Sequence, residues 1–388
     1  MSIRSRDRLG GRAAIVGIGA TEFSKDSGRS ELTLAVEAVR AALDDAGLTP
    51  ADVDGMVTFT MDTSPEITVA QAAGIGELSF FSRIHYGGGA ACATVQQAAL
   101  AVAAGVADVV VCYRAFNERS GRRFGSGVQQ REPSAEGAAL GWQLPFGLLT
   151  PASWVAMIAQ RYLHAYGLTP DAFGHVAVTD RRHAARNPAA YFYGKPITLA
   201  DHAASRWIVE PLRLLDCCQE TDGGQAIVVT SAERARDLRR PAAVIVAAAQ
   251  GAGRRQEAMT SFYRDELTGL PEMGVVAGQL WRTAGLTPAD IDVAILYDHF
   301  TPFVLMQLEE FGFCGRGEAA DFVAADALPL NTHGGQLGEA YLHGMNGIAE
   351  AVRQVRGTSV NQIPGASRTL VTAGTGVPTS GLILGADA

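Results

Sequence analysis

Lysine is nearly absent from this 388-residue chain. This and other absences set the first limits on the function of the protein. Only Lys25 and Lys195 are lysines among 32 basic residues, no basic run occurs, and the formal net charge is -8. A nucleic-acid-binding protein needs a basic patch or stripe, so this charge balance argues against one. No apolar run approaches the roughly 20 residues of a membrane-spanning helix.

Cysteine is also sparse and has no pairing pattern. The five cysteines are an odd number, and the adjacent Cys217 and Cys218, predicted to be buried in a turn, form no Cys-x-x-Cys. Disulfide and zinc frameworks are therefore disfavoured, and we predict a reduced, cytoplasmic protein. Residues 1–20 superficially resemble a secretory signal, but the apolar run 13–20 is short and leads into charged sequence. A first β-strand at residues 12–17, followed by a turn, is predicted there instead.

The common nucleotide and hydrolase motifs are missing as well. Gly17-Ile18-Gly19 follows a strand-like run, but the third glycine of the dinucleotide fingerprint and the acidic end of a second strand are absent. Neither a Gly-x-Ser-x-Gly elbow nor a phosphate-loop motif occurs. Nicotinamide chemistry, serine-hydrolase chemistry and nucleoside triphosphate binding are therefore not indicated.

An internal repeat is the strongest positive signal. Residues 47–54, Gly-Leu-Thr-Pro-Ala-Asp-Val-Asp, return at 285–292 with Ile in place of Val. Each copy follows a helical pattern and precedes an apolar run, so we expect a glycine C-cap, a threonine N-cap and a strand in both places. The repeat predicts duplicated α/β halves. They are placed at residues 1–231, with an inserted loop region at about 115–215, and at residues 232–388.

Three consecutive glycines form a second signal. Gly87-Gly88-Gly89 lies between a predicted strand, 80–86, and a helix of small residues, 90–104, which a further strand follows at 108–113. Glycine lets a substrate approach the backbone amides and the positive helix end, where an oxyanion would bind. A tight turn beneath a crowded helix crossing explains the same glycines equally well.

These features together resemble the thiolase superfamily over nearly the whole chain. The two half-copies, the stretch 88–111, the box 296–300 (Leu-Tyr-Asp-His-Phe) and the glycine-rich 334–344 are similar to its nucleophile helix and conserved boxes. The greatest similarity is to sterol-carrier-protein-type thiolases and lipid-transfer-protein homologues. This resemblance implies a thiolase-like fold with five layers, α-β-α-β-α, and a homodimer.

The departures from that family decide the chemistry. The position of the thiolase nucleophile is Gly88, Cys92 lies one helical turn further on as a small core residue, and the closing segment 370–374 has no second cysteine. The two oxyanion-hole positions are Tyr297 and Tyr341. Loss of both cysteines and gain of two tyrosines is similar to the thiolase-fold aldolases that cleave steroid side chains. That resemblance implies retro-aldol cleavage of a bulky alicyclic, 17-hydroxy steroid β-hydroxyacyl-CoA to a ketone and a shorter acyl-CoA such as propionyl-CoA.

Tyrosine suits this reaction because a retro-aldol cleavage needs a base, an enolate-stabilising donor and an acid but no nucleophile. We assign Tyr297 and Tyr341 as the acid/base pair, with the backbone at Gly88 completing the oxyanion site. Asp298, His299 and His343 are candidates to orient or relay, although buried tyrosines and single histidines also serve as packing residues. No motif marks the CoA-contacting residues, and neither a cofactor nor a metal is expected in this chain.

The resembling aldolases act with a small OB-fold and zinc-ribbon partner, so such a partner is implied here, with zinc expected only in the partner. Two alternatives stay open at this point. One is a thiolase-like acyltransferase that uses Cys92 or another thiol, and the other is a non-catalytic acyl-CoA or lipid carrier.

Overall fold

Strands and helices alternate along the chain, and the computed structural model describes residues 9–85, 87–123, 125, 137–138, 141–257, 261–375 and 379–386. The first half contains β1 (Ala13–Ala20), α1 (Glu31–Ala46), β2 (Gly55–Phe59), α2 (Glu66–Ala73), β3 (Phe80–Ile84), α3 (Ala90–Ala103), β4 (Val109–Asn117), α4 (Pro151–Tyr166), α5 (Asp171–Ala184), α6 (Leu199–Ala204), β5 (Trp207–Val209), β6 (Leu212–Arg213) and β7 (Asp222–Ser231). The second contains α7 (Ala232–Ala235), β8 (Ala243–Gly251), α8 (Pro271–Ala284), β9 (Val293–Ile295), α9 (Thr301–Glu310), α10 (Ala319–Ala324), α11 (Gly335–Gly338), α12 (Met345–Arg356), β10 (Arg368–Ala373) and β11 (Thr379–Ala386).

The two halves repeat one strand order. In the first half the order is β3-β2-β4-β7-β1, and in the second it is β9-β10-β11-β8, with Leu330 bridging to Ala294 beyond β9. Each half has parallel strands at its outer edge and antiparallel pairing toward the middle. The halves join where residues 14 and 15 of β1 pair with residues 244 and 243 of β8. The predicted duplication is confirmed, while the division after residue 231 stays a prediction.

The core has three main parts, one central and two outer, and the strands of the two halves lie between them. This arrangement gives the five predicted layers. Helices α3 and α12 lie in the middle and bury their apolar side chains against strands of both halves. Helices α1 and α2 cover the outer face of the first half, and α8 and α9 cover that of the second. The α-β-α-β-α order of a thiolase-like fold is thereby confirmed. Strand β1 occupies residues 13–20, so it continues through the glycines where a turn is predicted.

The repeated octapeptide performs the same local task in each half. Gly47 and Gly285 end α1 and α8 with φ of 73° and 67°, a left-handed conformation that glycine adopts without strain. The segments Thr49–Asp52 and Thr287–Asp290 each form a reciprocal capping box around a short 3-10 helix. Predicted caps and positions therefore agree with the structure.

The last aspartate of each copy holds the start of a neighbouring strand. The Asp54 carboxylate accepts hydrogen bonds from the amides of residues 108 and 109, where β4 begins, at 2.9 to 3.0 Å. The Asp292 carboxylate does the same for residues 367 and 368 at the start of β10, at 2.8 and 2.9 Å. Each aspartate thus fixes the neighbouring parallel strand against its own.

Two local predictions from the sequence are wrong. The pattern at residues 189–206 predicts irregular structure, but Thr198 caps α6 there. The pattern after the glycine-rich stretch predicts a helix from about Tyr341, but α12 begins only at Met345, because His343 and Gly344 have positive φ of 52° and 84° and cannot continue a helix from that turn. Within the predicted inserted region, residues 124, 126–136 and 139–140 lie outside the described residues. No helix in the described ranges is both long and apolar enough to cross a membrane.

Candidate active site

Tyr297 follows strand β9 directly and is held by its backbone. Its amide donates to Thr372 Oγ1 at 2.9 Å, and its carbonyl accepts from Gln307 Nε2 at 2.8 Å. Thr372 Oγ1 in turn donates to Gln307 Oε1 at 2.5 Å, which closes a fully buried ring of three residues. The backbone of Tyr297 is therefore fixed, because any displacement of it breaks buried hydrogen bonds.

Tyr341 approaches from the turn between α11 and α12. Its amide donates to Thr221 Oγ1 at 2.8 Å, just before β7. The hydroxyl oxygens of Tyr297 and Tyr341 lie 3.3 Å apart, so the two phenols form a hydrogen-bonded pair. Tyr297 is buried and Tyr341 is partly exposed, so the pair has an inner and an outer member.

Gly88 makes room for the inner phenol. A Cβ atom at residue 88 would overlap the Oη and Cζ atoms of Tyr297 and lie 2.9 Å from its Cε2 atom. The Tyr297 hydroxyl thus occupies the space in which a side chain at position 88 would lie. The neighbouring Gly89 is crowded in the same way, since a Cβ at Gly374 would overlap its backbone. The glycine run is therefore required by a tight crossing, while its use in binding an oxyanion stays a prediction.

Burial sets the protonation state of the phenols. It is the main cause that raises the pKa of both Tyr297 and Tyr341 above the ordinary value, and the neighbouring Cys218 and Glu118 raise both further. Both phenols are therefore neutral at neutral pH and act as hydrogen-bond donors. A raised pKa also means that either phenol can accept a substrate proton only if its own proton moves on at the same time.

His343 lies beside Tyr341 and is held in one orientation. Its ring centroid is 4.9 Å from that of Tyr341, and its Nδ1 accepts a hydrogen bond from Arg114 Nε at 3.0 Å. Arg114 is fully buried and forms an ion pair with Asp62. Burial, and then the Arg114 charge, lower the pKa of His343 well below its usual range, so the imidazole is neutral. We infer that it supports Tyr341 rather than carrying charge.

His299 packs against the other phenol. Its ring centroid lies 4.7 Å from that of Tyr297, and its Nε2 is 3.5 Å from Thr375 Oγ1. Burial lowers the pKa of His299 to about 3, so this ring is also neutral. Its backbone carbonyl accepts from the Cys218 amide at 2.9 Å, which ties the segment before β7 to the site.

Asp298 acts on the loop rather than on the phenols. Its two oxygens accept from the amides of Gln336 and Leu337 at 2.9 Å each. Asp180, from helix α5, lies against it, and burial together with the Asp298 charge raises the pKa of Asp180. The raised pKa favours the protonated form of Asp180 beside Asp298, and Asp298 positions the loop that leads to Tyr341.

Sequence reasoning missed three contributions to this site. Arg114 is a charged residue within an apolar strand, and Glu118 follows that strand immediately, so both carried a signal that went unused. Cys218 lies near the phenols, and both cysteines of the adjacent pair are only partly buried, so the prediction of a buried pair is wrong. Cys92 is fully buried with its thiol against the Val371 carbonyl, which confirms its expected core position.

Comparison with known proteins agrees with this geometry. Residues 253–385 match the family model described as thiolase C-terminal domain-like. The chain is 69% identical to a steroid side-chain-cleaving aldolase of Thermomonospora curvata, covering 98% of this chain and 99% of the relative. It is also 69% identical to the 17-hydroxy-3-oxo-4-pregnene-20-carboxyl-CoA lyase of Mycobacterium tuberculosis, covering 97% and 100%.

A solved structure is similar throughout. The Ltp2-ChsH2(DUF35) aldolase has a TM-score of 0.94 and 69% identity, covering 98% of this chain and 99% of that one. Identity at this level over the full length extends beyond the fold to the group within it. With the repeated halves and the paired tyrosines, it follows that this chain belongs to the thiolase superfamily, in its lipid-transfer-protein group, beside the steroid side-chain-cleaving aldolases.

Proposed function

We propose that the protein is a carbon-carbon lyase that cleaves a steroid β-hydroxyacyl-CoA by a retro-aldol reaction. The substrate carries a hydroxyl on C17 and the acyl-CoA on the adjoining side chain, as in the compound named for the Mycobacterium tuberculosis lyase. The products are a 17-ketone and propionyl-CoA. The observation that carries the proposal is the pair of phenol oxygens 3.3 Å apart, the inner of which fills the space above Gly88.

The reaction needs no net proton from solvent. A base removes the C17 hydroxyl proton, the bond from C17 to the α-carbon breaks, and its electrons form the enolate of the thioester. An acid then protonates the α-carbon, so the proton lost from oxygen is balanced by the proton gained at carbon. Because the Tyr297 and Tyr341 hydroxyls are hydrogen-bonded to each other, they can pass that proton between the two ends of the reaction.

The groups around Tyr297 and Tyr341 support the acid/base roles of the two phenols. The neutral phenols donate hydrogen bonds to the developing enolate oxygen in a site with little water, where such bonds are strongest. The backbone at Gly88 lies beneath the Tyr297 hydroxyl, close enough to border the same oxyanion. His299, His343 and Asp298 hold the two phenol-bearing segments in place.

A thiol-dependent acyltransferase is disfavoured by the same structure. Cys92 is fully buried, and burial raises the pKa of its thiol, so it is neither accessible nor ionised. Cys218 is partly exposed, but burial and the charge of Glu118 raise the pKa of that thiol too. Neither sulfur is a suitable nucleophile at neutral pH.

The active assembly is proposed to be larger than one chain. The similar solved structure is named as a Ltp2-ChsH2(DUF35) aldolase. By analogy we place this chain in a homodimer with an OB-fold and zinc-ribbon partner that holds its own zinc, working in the cytoplasm. Co-purification of a tagged partner with this chain, followed by measurement of the complex mass, tests the assembly.

Product analysis tests the function. The complex is incubated with the 17-hydroxy steroid acyl-CoA, and the products are identified by mass spectrometry, with the 17-deoxy analogue as control. The proposal predicts equal amounts of 17-ketone and propionyl-CoA from the first compound and no cleavage of the second. Binding of the hydroxylated thioester without cleavage would refute the lyase and favour a carrier.

A further inference from the structure

Strand β4 directs alternate side chains to opposite faces, and one face points at the site. Tyr113 and Ala115 belong to the outer core under α1 and α2. Arg114 and Phe116 instead contact His343. Arg114 Nε donates to His343 Nδ1 at 3.0 Å, and the ring centroids of Phe116 and His343 lie 6.4 Å apart. Glu118 follows two residues after Phe116, immediately beyond the end of β4.

The ends of two paired strands bring Glu118 near the backbone anchor of Tyr341. Asn117, the last residue of β4, pairs with Asp222, the first residue of β7, so Glu118 and Thr221 each adjoin that pair. Thr221 Oγ1 is the atom that accepts the Tyr341 amide at 2.8 Å. Glu118 is also close enough for its charge to raise the pKa of the Tyr341 phenol.

The Glu118 carboxyl is only 2% exposed, and its Oε2 atom has no hydrogen-bond partner within the described ranges. Three charged groups around it make hydrogen bonds to other residues: Lys25 donates to the Glu220 carbonyl at 2.7 Å, Asp222 accepts from the Arg119 amide at 2.8 Å, and Arg114 Nη1 pairs with Asp62. A buried acceptor left open in this way is costly unless it has a function.

Burial and nearby charges raise the pKa of the Glu118 carboxyl. Burial is the largest cause that raises its pKa well above the ordinary value, and Glu220 and Asp222 raise it further while Arg114 and Lys25 oppose them. The other titratable groups whose pKa it affects are Cys218, Tyr297 and Tyr341. A carboxyl with a raised pKa is a better proton acceptor near neutral pH than an ordinary one.

We propose that Glu118 is the proton acceptor that makes Tyr341 the base of the cleavage, acting through that phenol and a bridging water molecule. As Tyr341 takes the C17 hydroxyl proton, its own proton moves to the Glu118 carboxylate. Tyr297 then protonates the α-carbon, Tyr341 reprotonates Tyr297 across their hydrogen bond, and Glu118 returns its proton to Tyr341. No proton is gained or lost in the cycle. This inference rests on the proposed lyase function.

The test uses Glu118→Gln in the complete complex, because glutamine keeps the size but cannot accept the proton. We expect kcat to fall about 100-fold or more, with KM within about twofold, and the acidic limb of the pH profile of kcat to disappear. That limb exists because Glu118 must be ionised to act, so activity is present above its pKa and lost below it. A Glu118→Gln variant that keeps kcat and the acidic limb would overturn the proposal.

Glu220→Gln is the matched second variant. It removes a negative charge that raises the pKa of Glu118, so the acidic limb should move to lower pH while the plateau of kcat stays unchanged. If Glu118→Gln fails to fold, an unmoved limb in Glu220→Gln overturns the proposal instead. Absence of cleavage by the wild-type complex would refute the lyase function, whereas wild-type cleavage with unaffected variants would refute only the role of Glu118.

Discussion

Substitution of Gly88 by alanine tests the packing that links the glycine run to the phenol pair. The added methyl would overlap Tyr297 Oη and Cζ and lie 2.9 Å from Cε2, whereas carbon atoms in contact normally lie about 3.5 to 4.0 Å apart. The ring must therefore move by more than about an ångström. Because the backbone of Tyr297 is fixed by Thr372 and Gln307, the ring has to swing, which breaks its 3.3 Å hydrogen bond to Tyr341.

A displacement of about 1 Å in a reacting group costs on the order of 100-fold in rate. We therefore expect Gly88→Ala to lower kcat by about 100-fold or more, and overpacking to cost about 1 to 3 kcal/mol in the free energy of unfolding. Gly76→Ala is the control, because a Cβ at this exposed glycine meets no atom within 4 Å. Rates come from propionyl-CoA release and stability from urea unfolding. Wild-type kcat in a folded Gly88→Ala variant would refute the reasoning.

Two further predictions concern stability. Asp62→Asn leaves the buried Arg114 charge uncompensated, so the free energy of unfolding should fall by about 3 to 5 kcal/mol in urea titrations, and an unchanged value would contradict the pairing. Burial lowers the pKa of His333 to about 3, against about 6.5 in the unfolded chain. The unfolded state thus binds the extra proton between these values, and stability present above pH 6.5 falls as the pH is lowered. The expected slope from His333 is at most about 1.4 kcal/mol per pH unit, and His333→Gln should flatten the curve between about pH 6.5 and 5.

The local parts of this fold could be predicted because they depend on neighbours in sequence. The glycine caps and capping boxes of the repeat need only a few consecutive residues, and they form where predicted. The strand-fixing role of Asp54 and Asp292 could not be read locally, since their amide partners lie more than 50 residues away. Long-range hydrogen bonds of this kind leave no periodic signal in one sequence.

In the site, too, some features could be predicted from the sequence and others depend on residues far apart in the chain. Tyr297 and Tyr341 stood out because a family resemblance marked their positions, and the structure brings their hydroxyls together. The contact between Asp180 of α5 and Asp298 could not be predicted, since no sequence spacing connects the two residues. No sequence motif links His202 with Asp216 either, yet His202 Nε2 lies 2.8 Å from Asp216 Oδ1 in a buried contact.

The most direct test of the account is the turnover of Tyr297→Phe and Tyr341→Phe beside Cys92→Ala, with binding of the steroid acyl-CoA measured separately. Phenylalanine keeps the ring packing and removes only the hydroxyl. The account predicts that each phenylalanine variant binds the thioester but loses about 100-fold or more in kcat, while Cys92→Ala stays within about twofold of wild type. Wild-type kcat in either phenylalanine variant, or an inactive but folded Cys92→Ala, would contradict it.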